Sequence, residues 1–243
     1  MRYFFLILPL FIFMGCKAVI ENQDENSTQV EKNMVIPAYF YDENLSQKVT
    51  KANLDDMIVI VNPNNGPGDK NDSYYTNFIT NLVNAHKIPI GYVYTKYSNR
   101  NLDEVENDID KWIKLYPKIK GFFIDEVSSN KDDLTYYKTL SDYIHQKGDY
   151  YIELNPGTMP DKGYFDISDS VVVYEDRVKY YDYNVCKDYP DKSAVIIYGA
   201  NRNDMKNIIK NSNCKYYYIT DDNLPNPYDS LPSYFDEEIN ELK

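Results

Sequence analysis

Eight short apolar runs recur along the chain: VIPAYFY (35–41), MIVIVN (57–62), IPIGYVY (88–94), IKGFFIDE (119–126), YYIELNPG (150–157), SVVVYED (170–176), SAVIIYG (193–199) and YYYITDD (216–222). Their apolar residues are nearly continuous rather than alternating, as in parallel strands buried on both faces. Between them, apolar residues return with helical spacing. Leu102, Val105, Ile109, Trp112 or Ile113, and Tyr116 share one face of one stretch. Tyr75, Phe78, Ile79, Leu82 and Val83 follow the capping candidates Asp72 and Ser73, and Leu134, Tyr137, Leu140 and Ile144 mark a third helix. Strands alternating with helices predict an α/β fold, a single-domain (β/α)8 TIM-type barrel over residues 34–243. A doubly wound sheet is the alternative. It would usually carry a Gly-rich phosphate loop, and NPNNGPG (62–68) has neither the Lys-Ser/Thr of a P-loop nor the spacing of a dinucleotide fingerprint.

Active sites of such barrels lie at the C-terminal ends of the strands. Those ends carry Tyr41-Asp42, Asn62 and Asn64, Tyr94-Thr95, Asp125-Glu126, Asn155, Glu175-Asp176, Tyr198 and Asp221-Asp222. Amides, phenols and carboxylates gathered on one rim suit a sugar, which needs hydrogen bonds for its hydroxyls and flat faces for its C–H surface. Tyr41, Asn62, Asn64, Tyr94, Asn155, Tyr198 and Asp221 are therefore the candidate substrate-binding residues. Asp and Asn at strand ends also cap helices and shape turns, which is the plainer reading of Asp42, Asp176 and the 64–67 turn. The pair Asp125-Glu126 and the acid Glu175 have no such capping need and are the catalytic candidates. Successive strand residues point opposite ways, so Asp125 is expected to face inward with Gly121 and Phe123.

Composition narrows the chemistry. With 26 basic and 38 acidic residues, the net charge is −12 and no basic stripe is present, so no nucleic-acid partner is expected. His86 and His145 fall in helical stretches outside the barrel, and no Cys/His cluster has metal-ligand spacing. No metal or other cofactor is expected, although an all-carboxylate cation site stays open. A Gly-x-Ser-x-Gly elbow is missing. Paired carboxylates without metal or histidine are the equipment of glycoside hydrolysis.

The first residues, MRYFFLILPLFIFMGC, form a short apolar run ending in Gly15-Cys16. Too short to span a bilayer, the run reads as a lipoprotein signal peptide (1–15) with Cys16 as the lipidated residue. Residues 16–33 are polar and acidic and read as a tether. The protein is expected to be an extracytoplasmic, membrane-anchored lipoprotein of a bacterial envelope, and a monomer. Cys186 and Cys214 either pair in that oxidising setting or remain buried thiols.

Taken in order, IPAYFY, IVNPNNGPG, GYVYTKYSNR, GFFIDE, NPGT, VVVYE and TDDNLPNPYDSLPSYF resemble the spherulation-specific (spherulin-4-like) family across residues 35–235. The resemblance implies a TIM-like barrel. It also implies the activity of the family's fungal members, retaining endo-acting glycosidases that cut α-1,4-linked N-acetylgalactosamine in galactosaminogalactan. Their functional acids fall on Asp125, Glu126 and Glu175 here. The expected roles are Asp125 as nucleophile, Glu175 as general acid and then base, and Glu126 as orienting or substrate-holding group. A catalytically silent carbohydrate-binding lipoprotein on the same barrel is the alternative.

Overall fold

Residues 30–243 are described by a computed structural model; the expected signal peptide, Cys16 and most of the expected tether lie outside the described residues. Eight parallel strands close into a barrel in sequence order: β1 (Asn33–Ala38), β2 (Ile58–Val61), β3 (Ile88–Tyr94), β4 (Gly121–Asp125), β5 (Tyr151–Leu154), β6 (Ser170–Arg177), β7 (Ser193–Tyr198) and β8 (Tyr216–Ile219). Outside them run α1 (Glu43–Lys51), α2 (Ser73–Asn84), α3 (Leu102–Leu115), α4 (Leu134–Lys147), the single turn α5 (Gly163–Asp166), α6 (Arg202–Asn211) and α7 (Phe235–Glu241). Helix starts follow local chemistry. Asp42, Asp72 and Asn101 accept hydrogen bonds from first-turn N–H groups, and Asn201 with Asp204 forms a reciprocal capping box.

One connection departs from the alternation. Between β6 and β7 the chain makes only two 3-10 turns, at Val178–Tyr180 and Pro190–Lys192. A disulfide between Cys186 and Cys214 fastens this helix-free segment to the start of β8. The ring stack of Tyr189 on Phe165, centroids 3.9 Å apart, and Lys192 Nζ donating to Phe165 O (2.6 Å) and Ser168 O (2.8 Å) tie it to α5 and the turn beyond. The pairing of the two cysteines resolves the alternative that the spacing left open.

The strand register assigns the barrel interior. Partners run Pro37↔Ile60↔Ile90↔Gly121↔Tyr151, and one level higher Tyr92↔Phe123↔Glu153. Every second residue then faces inward, so β5 sends Tyr151, Glu153 and Asn155 into the barrel. On the outer face of β3, Gly91 exists because of α3. A Cβ there would lie 2.6 Å from the Trp112 indole, whose Nε1 donates to Tyr92 O at 3.0 Å. The seam between β8 and β1 is short, with two register pairs, and the buried Glu238 of α7 accepts from the free Ile219 N–H at 2.8 Å.

Residues 30–33, expected from the sequence to belong to a tether, are held against the barrel. Val30 N–H donates to Asn213 Oδ1 at 3.1 Å, and Asn33 already opens β1. Lys32 Nζ donates to Ile209 O and Ser212 O, carbonyls at the C-terminal end of α6 that have no helical partner of their own.

Candidate active site

A cleft of about 450 Å³ opens at the C-terminal mouth of the barrel. Its walls come from β1 and its exit (Pro37, Tyr39), the turn after β2 (Asn62, Pro63, Asn64, Asn65), β3 and β4 (Tyr92, Phe123, Asp125), β5 and β6 (Asn155, Glu175), β7 (Ile196), and the loop after β8 (Asn226, Tyr228). Two acids from strands four and six thus share one space, and Asp125 faces inward as its parity with Phe123 requires.

Glu175 arrives by a less direct route. Strict alternation from Val172 would place Tyr174 beside Ile196 and send Glu175 outward. A register shift between Val172 and Tyr174 inserts one residue, after which Glu175, not Tyr174, pairs with Ile196. Such a bulge re-aims one side chain next to a functional cleft.

The side chain of Asn155 links the two acids. Its Nδ2 donates to Asp125 Oδ1 at 2.8 Å and to Glu175 Oε2 at 2.6 Å, which keeps those two oxygens within about 5.4 Å of each other. Its own Oδ1 is held by the Gly157 N–H at 2.9 Å, with Gly157 in a left-handed conformation (φ 65°) that favours glycine. The remaining carboxylate oxygens are also occupied. Tyr92 OH donates to Asp125 Oδ2 at 2.7 Å and Tyr228 OH to Glu175 Oε1 at 2.6 Å. Burial raises both carboxyl pKa values above their usual range. For Glu175 the nearby charge of Asp125 adds to burial, while the donors Tyr228 and Asn155 pull the other way. The charge of Asp125 thus favours the proton remaining on Glu175.

Of the other residues expected to bind substrate, Asn62, Asn64 and Asn155 line the cleft. Asn62 also shapes the turn, its Oδ1 accepting from Gly66 N–H at 3.0 Å. Tyr41, Tyr94, Tyr198 and Asp221 are not part of the lining. Tyr41 is exposed and stacks on Tyr74 with centroids 4.2 Å apart, outside the mouth. Tyr94 lies under the Arg100 guanidinium, 4.3 Å from its ring. Tyr198 donates to Asp176 Oδ1 at 3.0 Å. Asp221 receives Ser233 N–H at 3.0 Å and the Ser233 hydroxyl, while Asp222 accepts from Ser230 Oγ at 3.1 Å. These two acids clamp the loop that carries Asn226 and Tyr228 into the site.

Glu126 does not line the cleft either. It sits in the left-handed region (φ 52°), a strained conformation for a residue with a Cβ. Its carbonyl accepts from Thr95 Oγ1 at 2.8 Å and from Tyr97 N–H, so its backbone anchors the loop after β3. Tyr39, Tyr92, Asn226 and Tyr228 line the cleft although the strand ends did not point to them. For the first two, the signal was present as the inward-facing aromatic two positions before the end of each run.

Residues 33–242 match the family described as Spherulation-specific family 4. Spherulin-4 of Physarum polycephalum is 37% identical over 147 residues, 59% of this chain and 44% of that protein, so the match spans under half of the relative's length. The crystal structure of Aspergillus clavatus Sph3 in complex with GalNAc superposes with a TM-score of 0.77 at 23% identity, covering 87% of this chain and 97% of Sph3. The Bacillus cereus spore cortex-lytic enzyme SleL shares the barrel more distantly, with a TM-score of 0.55 at 10% identity over 88% of this chain and 75% of its own.

Proposed function

From the premise that this chain belongs to Spherulation-specific family 4, we propose that it is a glycoside hydrolase, retaining and endo-acting, for an amino-sugar polysaccharide of the N-acetylgalactosamine type. The observation that carries the reading is the single Asn155 amide shared by Asp125 and Glu175 at the barrel mouth. Its two hydrogen bonds keep one oxygen of each acid no more than about 5.4 Å apart, which favours the roughly 5–5.5 Å spacing of retaining enzymes over the roughly 6.5–9.5 Å that admits a water between the acids. The capture of GalNAc by Sph3, on the same fold, supports the choice of sugar.

In this mechanism ionised Asp125 attacks the anomeric carbon, and the glycosidic bond breaks as protonated Glu175 gives its proton to the leaving oxygen. A water then gives a proton to Glu175 and its oxygen displaces Asp125, restoring both acids. The upward push of the Asp125 charge on the Glu175 carboxyl supports these roles. Asp125→Asn and Glu175→Gln should each lower hydrolysis of the polymer by about 10²–10⁴-fold. A substrate with a good leaving group should partly restore Glu175→Gln and leave Asp125→Asn inactive. The reverse pattern would exchange the roles, and full activity in both variants would end the glycosidase reading.

In the same reading the protein is a lipoprotein, anchored through Cys16 and facing an extracytoplasmic polymer. The Cys186–Cys214 disulfide supports an oxidising compartment. Detergent phase separation of the wild type and Cys16→Ala decides it, and wild type in the aqueous phase would sink the anchor.

A further inference from the structure

Three tyrosines surround the acid pair, and they are not equivalent. Tyr39 stands between Tyr92 and Tyr228, edge-to-face with both at centroid distances of 5.8 and 5.9 Å and interplanar angles of 88°. Its backbone N–H donates to Tyr228 O at 3.3 Å, which fastens it to the loop after β8. Tyr92 and Tyr228 spend their hydroxyl protons on Asp125 and Glu175, and Asn155 fills the other oxygen of each acid. A phenol beside two carboxylates would ordinarily donate to one of them. Here all four carboxylate oxygens already hold a donor, and among the described residues the Tyr39 hydroxyl makes no hydrogen bond.

We propose that Tyr39 contacts substrate directly, its hydroxyl donating a hydrogen bond to an acceptor oxygen of the sugar unit held between Asp125 and Glu175. This inference rests on the glycosidase reading and adds a binding residue to it. The phenol keeps its proton throughout the working range, because burial and then the charges of Asp125 and Glu175 push its ionisation well above the usual value. Half-buried on the cleft wall, it is the ring's one uncommitted phenol, and a sugar that displaces water from it must replace the lost hydrogen bond. A hydroxyl or acetamido carbonyl oxygen does so, and a ligand without an acceptor there leaves the proton stranded.

Tyr39→Phe removes the proton and keeps the ring with both edge contacts. The expected result is a fall of about tenfold in kcat/KM on an N-acetylgalactosamine polymer, with unchanged pH limbs and an equal loss of affinity for free GalNAc. Wild-type kcat/KM and GalNAc affinity in Tyr39→Phe would overturn the inference. So would displaced pH limbs, which would mean that Tyr39 acts through the acids. If the wild type binds GalNAc but cleaves no amino-sugar polymer, the glycosidase reading falls, and the affinity of Tyr39→Phe still decides the contact. A wild type that neither cleaves nor binds would remove both.

Discussion

At the scale of single residues, the donors around Glu175 set its working range. Tyr228 stabilises the ionised form and so holds the carboxyl pKa below where burial and Asp125 alone would put it. The general acid must be protonated, so activity is lost as pH rises through that pKa. Tyr228→Phe removes the donor, the pKa climbs, and the alkaline limb of the kcat/KM profile should move to higher pH; a limb that stays or moves down refutes the assignment. Asp125, Asn155 and Asn62 were readable because their parity within each run sends them inward. Tyr41, Tyr94 and Tyr198 have the right parity and the wrong height, for the lining residues are Tyr39, Tyr92 and Ile196, each two positions earlier. An apolar run shows which face a residue takes, while the level of the cleft depends on stagger between strands, which no single run contains.

Secondary-structure elements explain how close packing outside the barrel reaches the acids within. Trp112 of α3 fills the space above Gly91 and bonds the carbonyl of Tyr92, whose phenol holds Asp125. Gly91→Ala forces indole and strand apart. It should cost about 1–3 kcal/mol in denaturant unfolding and lower activity together with stability; unchanged stability would show that α3 yields freely. The bulge in β6 was not legible. Val171-Val172-Val173-Tyr174 contains no glycine or proline to mark it, and plain alternation would have turned Glu175 away from the cleft. The helix-free β6–β7 connection was hidden for a related reason, since a tyrosine-rich segment can cover a strand face as well as a helix can. Its disulfide closes a sequence separation of 28 residues. Cys186→Ser with Cys214→Ser should therefore cost about 3–4 kcal/mol of stability, read from denaturant midpoints, and no loss would mean the tyrosine packing alone holds the segment.

For the molecule as a whole, the barrel interior holds an acid that the proposed chemistry does not use. Glu153 lies fully buried two residues before Asn155 on the same inward face, with neither carboxyl oxygen hydrogen-bonded, and burial pushes its pKa up to about 8. The unfolded chain ionises this group near the ordinary value of about 4.5, so the folded state loses stability relative to the unfolded one as pH rises from there to about 8. Glu153→Gln carries no charge in either state. It should match the wild type near pH 4 and exceed it by about 4–5 kcal/mol at pH 8, and a gap independent of pH would show that Glu153 is already ionised in the fold. All strands are parallel, so Val30 and β1 begin at the end of the barrel opposite the acids. A lipid on Cys16 would tie the protein down by that closed end, with residues 16–29 reaching at most about 50 Å. The mouth would then point outward from the bilayer, toward polymer in the surrounding matrix, and polymer lying flat on the lipid headgroups would be the substrate it reaches least.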